Sequence, residues 1–374
     1  MTRSASVPPP VTAVIDRAGA WLPRRLGEVE RLLAESGESH GPALAADAGA
    51  TLRAGGKRLR PLLVLVCGGD MGGDAAVRSA AAVELVHMAT LVHDDVLDSA
   101  PLRRGRPTVV ATSGRAAATA TGDLLFSRAF GLLAETGDGQ AVDLLCEASL
   151  ALARGELAQR ADAYDLELTE ERYLMRCRLK TARLFESACA MGATARSSAT
   201  ARGAATAESA EAAELRAFGA EIGLAFQLLD DVLDVSGPPE RTGKARGTDL
   251  LDGTVTLPLI LARRLAAAAG PAAANAGPAA AEPTAADSAA REPGTRLSDT
   301  DAERLLRADP RDLDPADAER LCDAIAASGA LTAVRERGLG MITAAKRRLA
   351  ASQIDPARRG LLNLLADGVV DRYS

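Results

Sequence analysis

Apolar positions in this chain fall in runs rich in Ala, Leu, Glu and Arg, with few of the alternating β-branched stretches that strands leave. That pattern predicts helix almost everywhere, an all-α fold class. Helices are expected over 11–36, 62–66, from about Val77 to Asp94, and over 116–133, 141–161 and 169–191. Another begins near Ala207 and ends at Asp234, a further one carries Thr256-Leu257-Pro258, and 299–306, 315–328, 332–352 and 356–372 complete the set. Prolines and glycines punctuate them: Pro101 and Pro107 close the helix through Asp94, and Gly237-Pro238-Pro239 closes the one through Asp234.

Two segments stand outside the pattern. Residues 1–10, ending in three prolines, are expected to be a flexible start. From about Ala266 to Arg296, Ala, Gly and Pro crowd together with almost no large apolar residue, too little to offset the entropy of ordering. The remainder of 11–374 is enough for one large helical domain, with 266–296 as a disordered insert.

The chemistry concentrates where apolar helices end. Asp-Asp-Val-Leu-Asp occurs at Asp94–Asp98 and again at Asp230–Asp234. Within each copy the first and last aspartates are four residues apart and share a helix face. Like charges so placed repel unless a cation lies between them, and carboxylates are hard ligands suited to Mg2+ with phosphate oxygens completing the shell. A solvated acidic face is the bland reading of one such cluster. Two copies, each following an apolar run (Leu91-Val92-His93 and Phe226-Gln227-Leu228-Leu229), favour a metal–diphosphate site.

Basic motifs accompany them. Gly55-Gly56-Lys57-Arg58-Leu59-Arg60-Pro61 pairs glycines that admit close backbone approach with the cations Lys57 and Arg60. Arg103-Arg104 follows the first cluster, Lys180-Thr181 lies on a later helix, and Gly243-Lys244 follows the second cluster in a loop suited to a lid. The first three have plainer alternatives: a basic helix start, arginines pairing with the aspartates, an amphipathic lysine.

Composition narrows the class. The net charge of -6, with basic residues dispersed or in short motifs, argues against a nucleic-acid footprint. Cys67, Cys146, Cys177, Cys189 and Cys322 show no CxxC spacing and read as free thiols in a reducing cytoplasm. No signal core and no run of ~18 strongly apolar residues is evident, so a soluble, cytoplasmic protein is expected.

In order, GGKRLRP, LVHDDVLD with RRGRPT, Lys180-Thr181, FQLLDDVLD and GKARGTDL resemble the motifs of trans-prenyltransferases of the polyprenyl synthetase family, over about residues 45–260. The resemblance implies antiparallel helices around a deep central cavity, the isoprenoid synthase type I fold, in a homodimer, with three Mg2+ ions between the acidic motifs and an allylic diphosphate. It makes Asp94, Asp98, Asp230 and Asp234 metal ligands, and counts Asp95, Asp231 and Lys180 with them as catalytic. Gly56, Lys57, Arg60, His87 and Arg104 match the isopentenyl diphosphate site. Arg103, Lys180, Thr181, Gln227 and Lys244 match donors to the allylic diphosphate. One departure is Thr254, where many relatives carry lysine, so that one diphosphate contact is lost or water-mediated.

The implied reaction breaks an allylic C–O bond and adds isopentenyl diphosphate to the cation, without a side-chain nucleophile. Ala89 and Thr90, one turn before Asp94, and Leu85 and Val86, two turns before it, are expected to line the path of the growing tail, with Phe126 or Phe130 as alternative floor. Within the family that the chain resembles, bulky aromatics at position 89 go with short products, so Ala89 implies a medium- or long-chain product, released through transient membrane contact. The alternatives are a geranylgeranyl diphosphate synthase, a non-catalytic partner subunit, and a class I terpene cyclase. An aromatic content of 2% and intact motifs weigh against the last two.

Overall fold

The computed structural model describes residues 9–38, 41–53, 56–103, 105–200, 210–237, 246–269 and 299–370. Residues 1–8 and most of the Ala/Pro-rich insert, 270–298, lie outside the described residues. Nearly everything described is helical: α1 (Pro9–Ala18), α2 (Trp21–Glu38), α3 (Pro42–Arg53), α4 (Leu59–Gly68), α5 (Gly73–Leu97), α6 (Val109–Ala134), α7 (Gly139–Ala161), α8 (Glu170–Cys177), α9 (Arg183–Thr200) and α10 (Ala210–Ser236). Then come α11 (Thr248–Leu251), α12 (Leu257–Ala269), α13 (Asp299–Arg307), α14 (Pro315–Ala327), α15 (Ala330–Ala351) and α16 (Pro356–Val370). The all-α expectation holds, with one addition, a two-stranded antiparallel ribbon pairing Leu102 with Pro107 and Arg103 with Arg106.

The chain forms two compact units. The first comprises Met1–Ala161, Leu174–Asp230 and Glu336–Ser374, and the second Asp162–Tyr173 and Asp231–Arg335. In the first, α5 packs on α4, α6 and α9, and α16 lies against α1 and α4. Small residues make these approaches possible. A Cβ on Gly192 of α9 would stand 2.3 Å from the Val64 carbonyl oxygen of α4, so these two backbones touch. Among the described residues α5, with the turn before it, is long and apolar enough to cross a membrane, although no such run was expected. Most of its apolar stretch is buried inside the unit, Leu85, Val86 and Ala89 completely, as in a core helix. In the second unit α14 packs on α13, with Asp314 capping it by accepting from the Asp317 amide and Pro315 opening the first turn.

Local rules explain where the observed helices depart from expectation. The helix expected over 11–36 is two, parted at Gly19, whose φ of +74° suits glycine. Pro9 and Pro10, read as part of a flexible start, open α1, and 266–269, read as part of the insert, complete α12. α3 falls between the helices expected over 11–36 and 62–66, where its glycines resemble turn signals. The helix expected over 169–191 runs to Thr200 and contains a π turn at Arg178–Ala182.

Candidate active site

The first acidic cluster closes α5. Asp94 and Asp95 occupy its last turn and Asp98 caps it, its amide N–H donating to the Asp94 carbonyl oxygen at 2.8 Å. Asp95 is buried and accepts from Nε of Arg103 at 2.7 Å. Asp98 is exposed and pairs with Nη2 of Arg160 at 3.0 Å. Asp94 is half-buried. Burial pushes its carboxyl up to about 6, with Lys180 acting downward and Glu156 and Asp98 upward.

Two neighbouring elements supply that surrounding charge. On α7, Glu156 and Arg160 stand one turn apart and pair at 3.0 Å, and the other Glu156 oxygen meets Nζ of Lys180 at 2.5 Å. Lys180 and Thr181 ride the π turn, an i→i+5 insertion often found at functional sites. Gly155 lets this turn come close: a Cβ there would lie 2.6 Å from the Lys180 amide nitrogen. Thr181 Oγ1 donates to Gln227 Oε1 at 2.6 Å, so two residues matched to the allylic diphosphate are joined.

The second cluster ends α10. Asp230, in the first unit, is half-buried. In the second unit, Asp231 is buried and Tyr173 donates its hydroxyl proton to it at 2.6 Å. Asp234 is buried too, its Oδ2 accepting from the Asp249 amide at 3.3 Å and its carbonyl oxygen from the Gly247 amide at 3.0 Å. Gly247 adopts φ +70°, the conformation that turns the chain back toward α10. Thr254 donates its amide to the Asp249 carbonyl oxygen at 2.7 Å. In both clusters the middle aspartate, Asp95 or Asp231, is thus buried and bonded to a neighbouring side chain.

In the glycine-rich motif Gly56 and Lys57 are exposed. Arg60 stacks its guanidinium over the Phe185 ring at 4.6 Å. Arg58 is structural: with φ +49° it reaches Glu30 at 2.7 Å and the buried Glu84 at 2.8 Å. His87 sits two turns before Asp94, half-buried, its carbonyl accepting from Thr90 Oγ1 at 2.7 Å. Gly55, Arg104 and Lys244 lie outside the described residues. Of the residues expected along the tail's path, Leu85, Val86 and Ala89 have no exposed surface, while Thr90, Phe126 and Phe130 keep some. Phe126 stacks on His93 with centroids 5.8 Å apart.

Sequence reasoning did not single out Glu156, Arg160 or Tyr173. An i, i+4 pair such as Glu156 and Arg160 is common on exposed helices, and no spacing ties it to residues some sixty positions earlier.

Among the described residues no three His, Cys, Asp or Glu side chains form a ready-made ion site. Asp94 and Asp98 nevertheless suit a divalent ion: they are hard oxygen donors one helical turn apart, and burial makes the charged form of Asp94 costly, a cost that a bound cation would offset. Two carboxylates make a partial shell, one that water or diphosphate oxygens complete.

Residues 42–287 match the family described as Polyprenyl synthetase. Component 2 of heptaprenyl diphosphate synthase from Geobacillus stearothermophilus is 39% identical over 245 residues, 65% of this chain and 74% of that protein. Octaprenyl diphosphate synthase of Escherichia coli is 39% identical over 208 residues, 55% of this chain and 62% of that protein. Among solved structures, a polyprenyl synthase from Caulobacter crescentus complexed with calcium and isoprenyl diphosphate aligns at TM-score 0.79 and 34% identity, covering 100% of both chains. A decaprenyl diphosphate synthase from Rhodobacter capsulatus aligns at TM-score 0.76 and 31% identity, over 96% of this chain and 99% of that one. The fold is that of a prenyltransferase, and the chain belongs to the polyprenyl synthetase family.

Proposed function

We propose that this enzyme condenses isopentenyl diphosphate with an allylic diphosphate, in the presence of Mg2+, to make an all-trans polyprenyl diphosphate of medium or long chain. The observation that carries the reading is the juxtaposition, within one unit, of the Asp94–Asp98 pair with Lys180, itself next to the bonded pair Thr181 and Gln227. Relatives named for heptaprenyl, octaprenyl and nonaprenyl products support the chain length.

Asp94 and Asp98, with Asp230, would hold the divalent ion, which when bound supplies positive charge to a leaving diphosphate. Lys180 brings a fixed ammonium to the same place. Thr181 gives its hydroxyl proton to Gln227, so these two residues matched to the allylic diphosphate hold each other in place beside Lys180. Charge arranged beforehand lowers the barrier to C–O cleavage without reorganisation during the reaction. Lys57 and Arg60 would anchor isopentenyl diphosphate, Arg60 steadied over Phe185. Its double bond attacks the allylic cation, and the released diphosphate takes the proton lost.

A homodimer is the proposed assembly. Leu150 and Leu157, two turns apart on α7, are 61% and 69% exposed, an apolar strip that a second copy would cover. A relative named as a component 2 favours, as a second reading, a partner of another sequence on that strip.

The test is incubation of purified protein with Mg2+, labelled isopentenyl diphosphate and each of three allylic primers of increasing length, followed by chain-length analysis. A ladder ending beyond twenty carbons is expected, whereas a stop at twenty makes the enzyme a geranylgeranyl diphosphate synthase. No incorporation by the chain alone points to a required partner.

A further inference from the structure

Five charged groups of the first unit form an alternating row: Asp98, Arg160, Glu156, Lys180, Asp94. Arg160 Nη2 meets Asp98 at 3.0 Å while its Nε meets Glu156 at 3.0 Å, so the guanidinium is held from both sides rather than trailing into solvent. Glu156 in turn holds Lys180, and Lys180 acts on Asp94. The two ends of the row are the carboxylates suited to a divalent ion, and each faces a cation of the protein's own.

We propose that Arg160 is a built-in counter-cation that occupies Asp98 in the metal-free enzyme and is displaced from it when a divalent cation binds. The inference rests on the reading that Asp94 and Asp98 take the metal. A carboxylate oxygen that accepts from a guanidinium offers less of its charge to an ion, so the two cations compete. Arg160 and Asp98 are both substantially exposed, and exposed pairs are weak, so the competition weakens metal binding by only about two- to fivefold. Glu156 keeps the displaced guanidinium nearby, ready to return when the metal leaves.

The test is substrate-free binding of Mn2+ to the metal-free full-length protein, read by the electron paramagnetic resonance of the unbound ion. Wild type is compared with Arg160→Leu, Asp98→Asn, the double variant, and Arg154→Leu, which removes an exposed cation from the same helix. Arg160→Leu is expected to bind Mn2+ about two- to fivefold tighter, to add nothing in the Asp98→Asn background, and to differ from Arg154→Leu, which leaves the affinity unchanged. An Arg160→Leu affinity equal to wild type, a gain that persists without the Asp98 charge, or the same gain from Arg154→Leu overturns the proposal. If Asp98→Asn alone leaves Mn2+ binding intact, the metal assignment itself is what fails. All the substituted residues are exposed, and circular dichroism confirms that each variant is folded.

Discussion

The hydroxyl of Tyr173 donates to Oδ2 of Asp231 across 2.6 Å, with both side chains buried. A hydrogen bond to a buried carboxylate contributes more than one between neutral groups. Tyr173→Phe is expected to lower stability by about 1–3 kcal/mol, measured as the shift of the urea midpoint. An unchanged midpoint would show that the bond is dispensable.

Gly155 offers a second handle, because a side chain there meets backbone rather than a flexible tip. Alanine favours helix over glycine by about 1 kcal/mol, so on propensity alone Gly155→Ala should stabilise α7. The contact with the Lys180 amide predicts the opposite sign. The variant should melt lower and show a raised KM for the allylic diphosphate, and a higher melting temperature with normal KM would reject the argument.

The Asp94 carboxyl has its folded pKa raised to about 6, and burial raises that of Asp95 as well, against Arg103. A group raised on folding binds its proton more tightly in the native state, so its contribution to stability is complete below the ordinary carboxylate range and is lost as pH rises through about 6. Metal-free protein should therefore melt lower at pH 7 than at pH 5, and Asp94→Asn should shrink that difference. The same variant should lose most turnover at pH 7. A pH dependence identical to wild type would show that Asp94 is not the group responsible.

Thiol chemistry follows from burial. Cys146 is exposed and Cys67, Cys177, Cys189 and Cys322 are buried. Burial pushes the Cys322 thiol up to about 12, and the Cys67 thiol together with burial holds Cys189 well above its ordinary range. A disulfide reagent at pH 8 should titrate one thiol quickly in native protein and five after denaturation. Cys146→Ser should abolish the fast phase.

Ala89 tests the product wall. It has no exposed surface, so Ala89→Phe must push its ring into neighbouring space at a cost of about 1–3 kcal/mol. The product ladder should shorten. If it does not, the floor lies with Phe126 or Phe130, which retain exposure on α6.

Helix positions and both aspartate clusters were legible because period and like-charge spacing are local properties. What surrounds the clusters was not. Arg103 was read as a diphosphate donor and is found on Asp95, a pairing the adjacent sequence had left open as the plainer alternative. Glu156 and Tyr173 act on residues far away in sequence, and no local pattern marks them. α3 was hidden because glycines within it, such as Gly49, look like turn signals when packing is unseen.

The π turn at Arg178–Ala182 bears on how this helix can evolve. It is a surplus residue absorbed without ending the helix, and a single-codon deletion could restore regular winding. Such a deletion would leave a good helix and rotate Lys180 and Thr181 relative to the residues that follow them. The cationic end of the site is thus one codon away from losing its aim, by a change that hydropathy would barely register.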